Sequence, residues 1–179
     1  MARLTTDLAE LARAYLAIPG IVPCTLLVAG YYALLLAARV SLWRLALLVF
    51  PGTLAHELAH FTVGWVMQAQ PTQFSVWPRR EGQHWQLGAV SFRGIGLLNG
   101  AFVALAPLLL LPVAWLCLMH VTLPCWQQEQ WGGWLGSAYL TATLLFAAVP
   151  STQDIRLGSA SMLCYGILTT LVWWGWSTL

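Results

Sequence analysis

His56-Glu57-Leu58-Ala59-His60 places two imidazoles four positions apart with a carboxylate beside the first. On a helix, residues i and i+4 share a face, so both imidazoles can reach one Zn2+, and Glu57 can act as base toward a water that the cation acidifies. The pentapeptide lies in an apolar run, where inserting an ionisable side chain costs about 2.5–3.5 kcal/mol on insertion scales. With four His and four Glu in 179 residues, the pattern arises by chance on the order of once in five hundred shuffles. A metal-free polar contact between helices is the competing account, and burying Glu57 between two His for stability alone runs against the insertion cost.

A catalytic zinc takes three protein ligands and leaves one position open. Asp154, in Pro150-Ser151-Thr152-Gln153-Asp154, is the expected third ligand; His84, Glu81 or water alone are the alternatives. Ser151-x-x-Asp154 also reads as a capping box at a helix start, and the two roles are compatible. Counted from Arg44 at helical rise, His56 lies ~18 Å and His60 ~24 Å from one edge of a ~30 Å hydrocarbon core, past its midplane. His120 ends its segment at the opposite face and is a poor candidate. Asn99, ~8 Å inside its own segment, is expected near the depth of the zinc. Its amide either donates to a developing oxyanion or ties helices together, with Gly96 and Gly100 allowing close approach. Pro51-Gly52 is expected to kink or interrupt the second segment just before the motif and admit water.

These residues need elements to hold them. Residues 1–18 carry Leu4, Leu8, Leu11, Tyr15 and Ile18 at helical spacing, which predicts a helix lying on the membrane surface. Five spanning segments follow, at 21–38, 42–67, 94–119, 133–149 and 157–177, within a single domain. Between the second and third, the runs 73–77 and 84–92 flank the turn-like 78–83, a pattern that predicts a β-hairpin resting on the membrane surface or a plain connector. Phe74, Val76, Leu87 and Val90 of that hairpin are the candidate substrate contacts. Alternating crossings place residues 1–20, the 68–93 loop and the 150–156 loop on one side, and residues 39–41 and 120–132 on the other. The first side holds six of the eight Arg and is expected to be cytoplasmic, while most Trp gather toward the other face.

Composition excludes other classes. The chain is 59% apolar and 8% charged, too little polar surface for a water-soluble globule, so an integral membrane protein in contact with a lipid bilayer is expected. Its positive charge is all Arg, without a basic tract, which argues against nucleic acid. Asp7 and Glu10 interrupt the region where a secretory signal is basic, so the first spanning segment is expected to stay. Cys24, Cys117, Cys125 and Cys164 show no metal-binding spacing; Cys117 and Cys125 flank one loop and are either a pair or plain apolar residues. Abundant Arg, Ala, Leu and Trp suggest a bacterial, GC-rich source and hence an inner membrane.

Over roughly residues 42–156 the chain resembles the site-2 proteases, membrane-embedded zinc metallopeptidases. His56 and His60 match that family's zinc ligands, Glu57 its base, and Asp154 its later carboxylate. The usual Asp-Gly or Asn-Pro-Asp-Gly third motif is absent, Pro-Ser-x-x-Asp stands in its place, and there is no PDZ domain. The resemblance implies an all-α polytopic membrane protein with a three-helix zinc protease core and a short membrane-associated β-hairpin. It further implies one Zn2+ per chain and a transmembrane or membrane-associated protein as substrate. The expected function is therefore an intramembrane zinc endopeptidase with its active site toward the cytoplasm. The alternatives are a prenyl-protein type of membrane metallopeptidase and a catalytically silent zinc-binding adaptor for client helices.

Overall fold

A computed structural model describes residues 2–81 and 84–178, with side chains for 7–78 and 87–178. Helix α1 (Ala2–Leu16) leaves Leu8, Leu11 and Leu16 exposed, as a helix lying on an apolar surface does. At Gly20 the backbone is left-handed, with φ 85°, and turns the chain into α2 (Ile21–Ala37), which runs on through a tighter turn at Ala38–Val40. Next come α3 (Leu42–Leu48) and α4 (Phe50–Val66), separated by Val49 at φ −97°, ψ 4°. Pro51 explains the break: it has no N–H to continue the α3 ladder but is at home in the first turn of a new helix.

From Gly100 to Gln127 the chain is helical but repeatedly re-registered. Helix α5 (Gly100–Leu105) passes through a 3-10 stretch (Ala106–Leu109) into α6 (Leu110–Cys117). A π turn (Leu118–Thr122) then leads to α7 (Leu123–Gln127). Pro107 falls in the 3-10 stretch and Pro124 directly after the π turn, where a missing donor is least disruptive. Helices α8 (Trp131–Ala147) and α9 (Thr152–Ser177) complete the chain.

A twisted ribbon joins α4 to α5. Strand β1 (Pro71–Ser75) pairs antiparallel with β4 (Ala89–Phe92), with an irregularity between Pro71 and Gln73. Nearer the tip, β2 (Arg79–Glu81) pairs with β3 (His84–Gln86).

Helix directions follow from the side-chain contacts. Tyr31 meets Tyr139 and Arg39 sits 4.9 Å over the Phe146 ring, so α2 runs parallel to α8. The Tyr139 hydroxyl donates to the Leu48 carbonyl, and the His56 ring to that of Ala147, so α4 runs parallel to α8 as well. Between these two contacts, a Cβ on Gly52 would collide with the Thr143 carbonyl; the bare backbone sets how closely α4 approaches α8. Ile21, Cys24, Val28 and Leu35 of α2 bury against Leu118, Leu123, Ala138 and Ala142, and this is the main apolar core. Helix α9 packs on α5, with Gly158 against Ala104 and Ser161 donating to the Leu97 carbonyl.

Three helical runs are long and apolar enough to cross a membrane: Ile21–Val40, Gly100–Gln127 and Thr152–Ser177. Their outward faces carry exposed leucines and tryptophans, and the chain is a membrane protein on that ground. Helices α4 and α8 are 17 residues each, about 25 Å at helical rise and shorter than a ~30 Å core.

The 42–67 segment is two helices, parted at the interruption expected from Pro51-Gly52. Several other sequence expectations are corrected. The third run starts at Gly100 instead of 94, and most of the expected 120–132 loop is helical, with His120 in the π turn. The hairpin lies along α4. Phe92 packs on Gly64, Phe74 on Phe61, Gly88 on Glu57 and Trp77 beside Phe50. Alternating crossings do not hold either, since Arg39 and Asp154 line one cleft. Residues 15–20 instead lie against the far end of the third run, with Tyr15 on Trp115 and the Gln127 amide donating to the Pro19 carbonyl. All four cysteines are free thiols; Cys117 and Cys125 are eight positions apart on one helical run, about 12 Å, too far to pair.

Candidate metal centre

Helical spacing puts His56 and His60 on one face of α4, and two different backbones then fix their rings. The Nδ1–H of His56 donates to the Ala147 carbonyl at 2.7 Å, and that of His60 to the Val103 carbonyl at 2.8 Å. A carbonyl only accepts, so each Nδ1 carries a proton, and in the neutral ring each Nε2 then offers a lone pair. Those two lone-pair nitrogens face each other at 3.2 Å.

Asp154 completes the group. Its Oδ1 is 3.1 Å from His60 Nε2 and its Oδ2 is 3.4 Å from His56 Nε2. The same carboxylate closes a capping box at the start of α9: Oδ2 accepts from the Ser151 N–H at 2.6 Å, and the Ser151 hydroxyl accepts from the Asp154 N–H. One side chain thus starts the helix and faces the imidazoles, and the cap holds its rotamer.

When both imidazoles are neutral, two Nε2 lone pairs and a carboxylate converge there and repel one another, and a cation among them removes the conflict. Tetrahedral zinc with bonds of ~2.0–2.1 Å has ligand-to-ligand edges of about 3.3 Å. The imidazole nitrogens stand 3.2 Å apart and each has one Asp154 oxygen at 3.1 or 3.4 Å, a different oxygen for each, with one ligand atom per residue falling within 4.8 Å; the residue types and their convergence fit the metal. The three residues are the one such group of His, Cys, Asp or Glu among the described residues.

Glu57 is buried on the adjacent side of α4, at 6% exposure. The group lies on the wall of a cleft of about 1320 Å3 between α4, β4, the end of α8 and the start of α9. His56 and Asp154 remain 14% and 15% exposed, so the group is open to the cleft.

The other expected site residues divide. Leu87 and Val90 line the cleft. Phe74 packs outward on Phe61, and Val76 lines a smaller groove with Trp43 and Trp77, so neither borders the metal group. Asn99 is spent elsewhere: its Oδ1 accepts from Gly96 N–H, and its amide donates to the carbonyls of Gly94 and Met67. With both amide hydrogens engaged and no place on the cleft wall, Asn99 is a tie between the α4 end and the α5 start, not an oxyanion donor. The side chains of His84 and Glu81 lie outside the described residues. Sequence reasoning missed Arg39, Phe146 and Gly88 as cleft residues; only Gly88, bare within an otherwise β-forming run, left a signal. Set beside protein-family models, curated proteins and solved structures, the chain matches none.

Proposed function

We propose that this chain is an intramembrane zinc endopeptidase that hydrolyses peptide bonds in or beside the transmembrane segments of other proteins. The observation that carries the reading is the convergence of His56, His60 and Asp154, whose ligand atoms, one from each residue, lie within 4.8 Å of one another, next to a buried carboxylate and on an open cleft. The motif's resemblance to site-2 proteases supports it independently.

His56, His60 and Asp154 would hold one Zn2+. Zinc in such a site supplies Lewis acidity toward a carbonyl and a water. Glu57 takes the proton of the attacking water and later delivers it to the leaving amine. A helical substrate has its carbonyls engaged in its own ladder and must be extended before attack. Among the described residues strand β4 pairs with β1 alone, and residues 87–92 line the cleft. Its free edge therefore receives an unwound segment as an added strand, with Leu87 and Val90 contacting its side chains.

Helices α4 and α8 join the three longer runs in the bilayer, which makes five membrane-embedded segments. Arg39 and Arg156 both border the cleft, so the positive-inside bias turns the cleft mouth to the cytoplasm and residues 15–20 toward the other face.

Metal analysis and turnover on purified protein test the assignment. Glu57→Gln is expected to keep stoichiometric zinc and lose cleavage of a quenched-fluorophore transmembrane peptide by at least 100-fold, in line with the ~10²–10⁴-fold worth of a general base. His60→Ala is expected to lose zinc and turnover together. A Glu57→Gln protein that retains its cellular activity points to the adaptor reading and ends the protease assignment.

A further inference from the structure

Gly88 sits between β3 and β4 and is buried, although its backbone is not in the left-handed region. Conformational freedom is therefore not what it provides. An ideal Cβ at this position would lie 2.5 Å from Glu57 Oε1, 2.7 Å from its Cγ and 2.9 Å from its Cδ. No real Cβ tolerates such distances, and because three successive atoms are met, the whole Glu57 side chain would have to swing away. The hairpin backbone thus rests directly on the carboxylate.

We infer that Gly88 is a positioning residue for Glu57: the ribbon seats the base beside the two imidazoles through a contact that only a residue without a side chain allows. The inference rests on the proposed role of Glu57 and assigns the hairpin a second task. Ala89, the first residue of β4, follows Gly88 directly. A segment added to the β4 edge is therefore held by the same backbone that holds the base. The ribbon fixes which peptide bond of a paired substrate stands opposite Glu57.

Two double-mutant cycles test this, one without any catalytic readout. In thermal unfolding of the zinc-loaded full chain in detergent, Gly88→Ala is expected to lower the melting temperature by about 5 °C, the scale of a small overpacking cost in a chain of this size. In a Glu57→Ala background, where the obstructing atoms are gone, the same change is expected to shift it by less than about 1 °C. In turnover of the quenched transmembrane peptide, Gly88→Ala is expected to lower kcat on the order of 10–100-fold with KM within about twofold and zinc content unchanged. In a Glu57→Ala background, where no carboxylate remains to be displaced, Gly88→Ala is expected to change the residual turnover by less than about twofold. Equal losses in the parent and Glu57-substituted backgrounds, or wild-type behaviour of Gly88→Ala, overturn the inference. If Glu57→Gln still cleaves, the protease reading fails on its own, while the melting cycle continues to report whether Gly88 seats the side chain.

Discussion

Asp154 answers to two partners at once, and substitutions separate them. Asp154→Asn retains an oxygen for the Ser151 N–H, so the start of α9 is expected to survive. It removes the negative charge that faces the imidazoles, and zinc affinity is expected to fall by more than the roughly 10–100-fold that outer-shell partners are worth. Ser151→Ala does the reverse. Losing the cap costs ~1 kcal/mol, a drop in melting temperature of roughly 2–4 °C, while zinc stays bound. Competitive zinc titration and thermal melts of the two variants, run side by side, check the division. Retained affinity in Asp154→Asn would remove Asp154 from the ligand set. The two imidazoles need no comparable dissection, because each is already locked by a carbonyl from a different part of the chain, Ala147 for His56 and Val103 for His60.

At the scale of elements, the site depends on how closely α4 approaches α8. Gly52 is where the α4 backbone meets the Thr143 carbonyl, one turn before His56. Gly52→Val is expected to force the helices apart at a cost of about 1–3 kcal/mol and to pull His56 from its carbonyl partner. Melting temperature and zinc content should therefore fall together. Gly30→Ala on α2 is the contrast: its Cβ meets nothing within 4 Å. Relief of the helix-interior glycine penalty is expected to leave the protein unchanged or raise its stability by ~0.5–1 kcal/mol. If both variants retain full zinc, the α4–α8 spacing does not set the metal group. The hairpin belongs to this scale too. It follows α4 from Gly64 back to Phe50, which makes the ribbon a wall of the cleft and not an ornament on the membrane surface.

For the whole molecule, the metal group ties α4 to the α8–α9 junction, two parts of the chain almost a hundred residues apart. A cation held there binds the folded state and not the unfolded one, so it stabilises by mass action, about 4 kcal/mol at a thousandfold excess over its dissociation constant. Dialysis against a chelator is expected to lower the melting temperature by several degrees and abolish cleavage, and added Zn2+ to restore both. An unchanged melt after verified metal removal would contradict a metal that joins these elements.

The local part of this architecture is legible in the amino acids alone. His56 and His60 share a face, with Glu57 on the adjacent side, because helical geometry leaves no other arrangement, Ser151 and Asp154 form a cap because they stand three apart, and apolar runs report a lipid environment. Pro51 likewise marks a helix restart. What no spacing conveys is the meeting of distant backbones. That Val103 and Ala147 supply the carbonyls for the two imidazoles, that Asn99 spends its amide on Met67 and Gly94, and that Arg39 shares a cleft with Asp154 follow only from the parallel packing of α2, α4 and α8. A count of crossings assumes alternation and is blind to that packing. Gly88 shows the same limit at one atom: its missing side chain is visible in the sequence, but the carboxylate that occupies the space is brought there by the tertiary fold.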